Sequence, residues 1–278
     1  MTYRSVLVQL ENSVSGNARA RAAVSIAARF GAELTGVFLK SERVPYYLVG
    51  DGLVVPTVNV EDYFKEREQE IATESAKARK SLEAAVGEAL IPTHWIELNA
   101  DDDLTLAACA RRHDLSILPR QMSATRGDHV ISAASIGMAA GGPMLVLPPL
   151  GYPESFGRRV LVAWNDSREA ARALRDAMPF LAQAEEIHFI IASREAPGEL
   201  DAWLRRHLAI HGCREPKLFV DRDDDVSTGE IIRQRIDLVG ADMVVLGLYG
   251  RSRLQEFVLG GVTKTLIDNT KMPLLLSH

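Results

Sequence analysis

Three glycines, Gly247, Gly250 and Gly260, stand where an apolar run (242–246) gives way to a polar stretch and then to helical apolar spacing. Glycine lets backbone approach a ligand more closely than any Cβ allows, and a helix start offers unpaired N–H groups to an anion. The chemistry such a stretch can do is therefore phosphate binding. Arg251 and Arg253 lie between the second and third glycines and can pair with phosphate oxygens. Gly261, Val262 and Thr263 carry the stretch into the helix, and the Thr263 hydroxyl falls in its first turn. The plainer reading is that the glycines only make the turns between a strand and a helix.

Other residue groups have simpler explanations. His207 and His211 are spaced i, i+4 with Cys213 close behind, which allows a metal clip, although histidines on an exposed helix face account for the spacing equally. The acidic stretch DRDDDVSTGE (221–230) reads as a helix start, with Ser227 and Glu230 as a capping box and the aspartates at the positive end of the dipole. The aspartates at 101–103 read the same way, and 64–85 reads as a charged helix with a solvated face. No Gly-x-Ser-x-Gly elbow, Walker loop or paired-cysteine zinc signature occurs in the sequence.

The elements that must position these residues come in two copies. The segments starting at Tyr3 and at Gly157 each give an apolar strand, a polar turn, an alanine-rich amphipathic helix and a second apolar run. Helix then strand recurs at 101–120 and 229–248, and a closing strand at 143–149 and 273–277. In 167–183 the apolar positions Ala170, Leu174, Ala177, Met178 and Leu181 share one helical face, and Ser167 can cap that helix. Near-continuous apolar strands alternating with helices predict parallel sheets covered on both faces. The expectation is two doubly wound α/β sandwiches packed side by side as a pseudo-dimer, covering 1–149 and 157–278. The Pro- and Gly-rich stretch 148–157 then serves as the linker. In such sheets ligands bind beyond the C-terminal strand ends, where Gly247–Gly250 and Asn165–Asp166 lie.

The 278 residues carry a formal net charge of −5, which argues against a broad electrostatic grip on nucleic acid. No apolar run approaches the ~18–20 residues that span a bilayer. The first ten residues lack a basic region ahead of an apolar core, and two cysteines make no disulfide framework. A cytoplasmic protein is the expectation.

The order strand–WNDS–helix, a late apolar strand, then Gly-x2-Gly-x9-Gly opening the last helix resembles the universal stress protein family, in a tandem form with two fused copies. The resemblance is strong in 157–278 and rests on layout alone in the first half. It implies five parallel strands per copy in the adenine nucleotide alpha hydrolase-like arrangement, a role in stress tolerance, and no enzyme activity beyond at most slow ATP hydrolysis. Some members bind ATP, with an acidic residue after the first strand near the adenine and the glycine loop around the phosphates. Carried onto this chain, the cofactor is ATP with magnesium. Its site comprises Asn165 and Asp166, the glycines 247, 250, 260 and 261, Arg251, Arg253, Val262 and Thr263. Two departures bear on that site. Gly261 stands where the nucleotide-binding members usually have Ser or Thr, and Asn165 stands where they have Asp.

The first half departs further, with Pro119, Met122 and Ser132 at the glycine positions and Gln9 at the acidic one. A degenerate, structural first half is expected. The stretch 40–60, with Tyr46, Tyr47, Leu48, Val49, Leu53, Val54 and Val55, is too apolar for a solvated loop. It either packs down locally or covers a pocket or partner surface. The alternative function is thus a nucleotide-free scaffold that binds an apolar ligand or protein through 40–60. A homodimer is a further expected partner arrangement.

Overall fold

The computed structural model describes residues 2–40, 60–99, 103–123, 130–192, 198–221, 226–248, 266–267 and 271–278. Its first half runs β1 (Ser5–Gln9), α1 (Val14–Phe30), β2 (Glu33–Lys40), α2 (Val60–Val86), β3 (Thr93–Asn99), α3 (Asp103–Ala110) and β4 (Leu115–Pro119). A small hairpin of β5 (Gln121–Ser123) and β6 (Val130–Ser132) follows, then α4 (Ala133–Ala140) and β7 (Met144–Leu147). The second half runs β8 (Arg159–Trp164), α5 (Arg168–Leu181), β9 (Glu186–Ala192), α6 (Gly198–Ile210), β10 (Pro216–Asp221), α7 (Thr228–Val239), β11 (Met243–Gly247) and β12 (Leu274–Ser277).

Each half contributes five parallel strands in the same order, β3-β2-β1-β4-β7 and β10-β9-β8-β11-β12. The expected pair of separate sandwiches is corrected at one point. β7 and β12 pair antiparallel, Leu274 opposite Val146 and Leu276 opposite Met144, so one ten-stranded sheet runs through both halves. The physical reason lies in the two strands themselves. MLVL and LLLS are buried along their whole length, and as free edges they would expose unpaired backbone and apolar side chains to water. Pairing them removes both edges. The antiparallel junction also turns the C-terminal strand ends of the two halves in opposite directions.

Two apolar layers cover the sheet, and both cross the junction. On one face α1, α2, α5 and α6 pack through residues such as Ala23, Leu82, Leu174 and Leu204. On the other, α3, α4 and α7 pack through Leu106, Ile136 and Ile232. The helix faces follow the spacing: Ala170, Leu174, Ala177 and Leu181 are buried, and Met178 is half-buried. Among the described residues of α2 only Ser75, Ala78 and Leu82 are buried, leaving a solvated charged face.

The stretch 148–157 is not a free linker. Phe156 is 2% exposed and stacks with Phe180, the Phe156 carbonyl accepts from Arg29 Nη1 at 2.8 Å, and the Gly157 amide donates to Asp242 at 2.9 Å. Tyr3 and Phe30 from the first half close on Phe180 from the second, with centroids 5.8 and 5.0 Å away. The Tyr3 hydroxyl donates to the Asp176 carbonyl, and Arg29 lies over both phenylalanine rings. The halves share a core.

Candidate functional site

In the second half β8 and β11 are neighbours, and the strand order reverses between them, β8 being followed by β9 on one side and β11 by β12 on the other. This switch point delivers Asn165 after β8 and Gly247 at the end of β11. Ser167 caps α5, its hydroxyl accepting from the Ala170 amide at 3.1 Å. Asn165 braces that cap: its Oδ1 accepts from the Ser167 amide at 3.2 Å and hydroxyl at 2.6 Å. Asn165 is exposed, and its side-chain NH2 is a hydrogen-bond donor distinct from the oxygen that braces the cap. Asp166 has a left-handed backbone, φ 56°, a conformation that Asp tolerates better than most residues.

Gly247 answers to packing. A Cβ there would fall 2.6 Å from the Glu169 carbonyl carbon and 2.7 Å from the Ala170 amide nitrogen. The first turn of α5 thus lies directly against the end of β11, which puts a helix N-terminus beside the strand end that opens the glycine stretch. Glu169, missed by the sequence reading, is buried there and paired with Arg168. Burial pushes its carboxyl up, but its own amide, Arg168 and His278 together hold it below its ordinary value. Trp164, next to Asn165, is buried, its Nε1 has no hydrogen-bond partner among the described residues, and its ring lies 5.9 Å from that of Trp203. Gly250, Arg251, Arg253, Gly260, Gly261, Val262 and Thr263 lie outside the described residues, as does 41–59 with its tyrosines.

The first half has the equivalent switch point between β1 and β4. Strand register makes Ser5 equivalent to Arg159 and Ile117 to Val245, so Pro119 takes the place of Gly247. Where the second half has its glycine stretch, the first has the β5–β6 hairpin, with Met122 buried and Ser132 capping α4. One assignment needs correction. Ser13 caps α1 as Ser167 caps α5, so Glu11, not Gln9, is the counterpart of Asn165. Gln9 belongs to β1 and is buried. The acidic position is therefore occupied, but its carboxylate is engaged. It accepts from Ser13 Oγ at 2.8 Å, from Ser15 Oγ at 3.2 Å and from buried Arg19. Arg19, 1% exposed, is also fixed by the Gln9 carbonyl at 2.6 Å and Oε1 at 3.1 Å. Burial pushes its guanidinium down from its ordinary value against the opposing pull of Glu11.

Among the described residues, the remaining sequence candidates do not assemble into sites. The His207 and His211 rings are 4.8 Å apart, with His207 stacked on Trp203. Among the described residues no group of three metal-capable side chains forms. Ser227 caps α7 through the Glu230 amide, whereas the Glu230 carboxylate turns to Arg233 and Gln234 instead of closing a capping box. No described helix is long and apolar enough to cross a membrane.

Comparisons with known proteins agree with this geometry. Residues 220–278 match the family model described as the Universal stress protein family. The fold of the whole chain is similar to a universal stress protein from Archaeoglobus fulgidus DSM 4304, at 15% identity and a TM-score of 0.70, covering 98% of this chain and 97% of that one. It is also similar to a putative universal stress protein from Pseudomonas aeruginosa UCBPP-PA14, at 16% identity and a TM-score of 0.59 over 99% and 93% of the two chains. A functionally unknown protein from Pseudomonas aeruginosa PAO1 gives 15%, 0.57, 99% and 92%. The comparison with curated proteins finds no match. The chain is thus a two-unit α/β protein of the universal stress protein fold, with the family match in its second half.

Proposed function

We propose that this chain is a cytoplasmic stress-response binding protein whose second half takes one adenine nucleotide, ATP with magnesium. The observation that carries the reading is the asymmetry between the two switch points. The second delivers an exposed Asn165 amide and a glycine strand end against a helix N-terminus. The first delivers a proline, a hairpin and a carboxylate already engaged. In this reading Asn165 and Asp166 meet the base. The backbone at Gly250, Gly260, Gly261 and Val262 cradles the phosphates, and Arg251, Arg253 and Thr263 pair with their oxygens. Gly247 sets the approach of α5. The activity is binding, with slow hydrolysis as its upper limit.

Gly250→Val and Gly260→Val test this directly, because a side chain at either position would exclude the phosphate path. Titration of each variant with magnesium ATP, read by Trp164 fluorescence, is expected to show no saturable response, while circular dichroism stays that of the parent. Gly261→Ser, which restores the hydroxyl common in the family, should hold or raise affinity, by at most roughly 1.5–3 kcal/mol. ATP affinity unchanged in both valine variants would end the reading. Gly247 is unsuitable for this test, since a side chain there strikes the backbone of α5.

A further inference from the structure

The capping bonds at the end of β8 fix which hydrogen-bonding groups Asn165 still offers. Its Oδ1 accepts from the Ser167 amide at 3.2 Å and from the Ser167 hydroxyl at 2.6 Å, which occupies both lone pairs of that oxygen. A backbone amide can only donate, so the side chain cannot be turned about to present its oxygen instead. A ligand atom that meets the Asn165 side chain must therefore accept from its NH2. The first half shows what a carboxylate does in the same place. One oxygen of Glu11 accepts from the capping Ser13, and the other accepts from Arg19. Asn165 thus puts a donor where an acidic residue keeps a second acceptor. The next residue, Asp166, is exposed and supplies a carboxylate, which accepts on both oxygens.

We infer, on the reading that Asn165 and Asp166 meet the base, that the same site also takes guanine nucleotides, at least as tightly as ATP. Asn165 is the residue that admits them. Along one edge guanine presents an acceptor at O6 and donors at N1 and N2, whereas adenine presents a donor at N6 and an acceptor at N1. The O6 oxygen suits the Asn165 NH2, and the N1 and N2 donors suit the paired oxygens of Asp166. Adenine gives its amino group to Asp166 and its N1 to the Asn165 NH2, so one Asp166 oxygen goes without a donor. An acidic residue at 165 reverses this order. Its second oxygen would face O6 acceptor against acceptor, while still taking the adenine amino group.

Competition calorimetry on the full chain with the magnesium complexes of ATP, GTP and ITP tests the inference. GTP is expected to displace ATP completely from one shared site and to bind at least as tightly. ITP keeps O6 and the N1 donor but lacks the N2 amino group, so it should bind more weakly than GTP. Asn165→Asp should move the GTP-to-ATP affinity ratio about tenfold or more toward ATP. A merely structural fault in the cap would weaken both nucleotides alike and leave that ratio unmoved, and Asp can itself accept from Ser167. GTP bound more weakly than ATP, GTP and ATP held together on one chain, ITP as tight as GTP, or an unchanged ratio in the variant would each overturn it. A chain that binds ATP and excludes GTP sinks this inference and leaves the nucleotide reading intact, whereas a chain that binds neither sinks both.

Discussion

Phe180→Ala is expected to lower the stability of the whole chain by about 3–5 kcal/mol, and not of its second half alone. Phe180 is fully buried at the meeting of both halves, against Tyr3 and Phe30 from one side and Phe156 from the connecting stretch. Truncation to alanine removes the ring that all three contact and leaves a cavity that α1 and α5 cannot collapse without moving the sheet beneath them. Arg29 loses one of the two rings it covers, while its bonds to Gln183 and the Phe156 carbonyl hold it in place over the void. Because the apolar layers cross the junction, thermal unfolding should proceed in one transition, shifted down by roughly 10 °C in the variant. Two transitions, only one of them shifted, would show that the halves unfold independently and that the shared core contributes little.

Glu11→Leu should destabilise the protein by a similar amount, about 3–5 kcal/mol, by leaving the Arg19 charge buried without a counter-charge. The Gln9 carbonyl and Oε1 would remain as neutral acceptors, which satisfy geometry but not charge. The double variant Glu11→Leu, Arg19→Met should recover most of the loss, since a buried ion pair can be replaced by apolar packing at little net cost. Urea unfolding of the two singles and the double, treated as a cycle, measures the coupling. A single variant as stable as the parent would mean that water or another acceptor takes over the guanidinium, and that the pair does not hold the end of β1.

Much of the fold is legible in the sequence, and the sheet junction is not. The second half was legible because its signals are local. The α5 face repeats at helical spacing, Ser167 announces the cap, and VLVAW and MVVLG are too apolar for anything but covered strands. The loss of the glycine stretch in the first half was legible too, from Pro119 and Met122. The sheet junction was not, because antiparallel pairing of β7 with β12 joins residues more than a hundred positions apart. The sign of it was present all the same: two closing strands with no polar face leave no edge fit for water. The Glu11–Arg19 pair was obscured by counting from the end of an apolar run. Counting back from the capping serines, Ser13 and Ser167, gives the right register, because a cap fixes where the strand-to-helix turn ends. Gly247 shows a further limit, since the same residue type serves phosphate approach and helix packing, and only the position of α5 distinguishes them.

The central claim is that the two switch points have parted in function, and that only the second takes a nucleotide. Native mass spectrometry of the intact chain with millimolar magnesium ATP tests it most directly. The account predicts a single ATP-sized mass increment per chain, present in the parent but lost in Gly260→Val. A chain that carries no increment, or one that carries two, would contradict it.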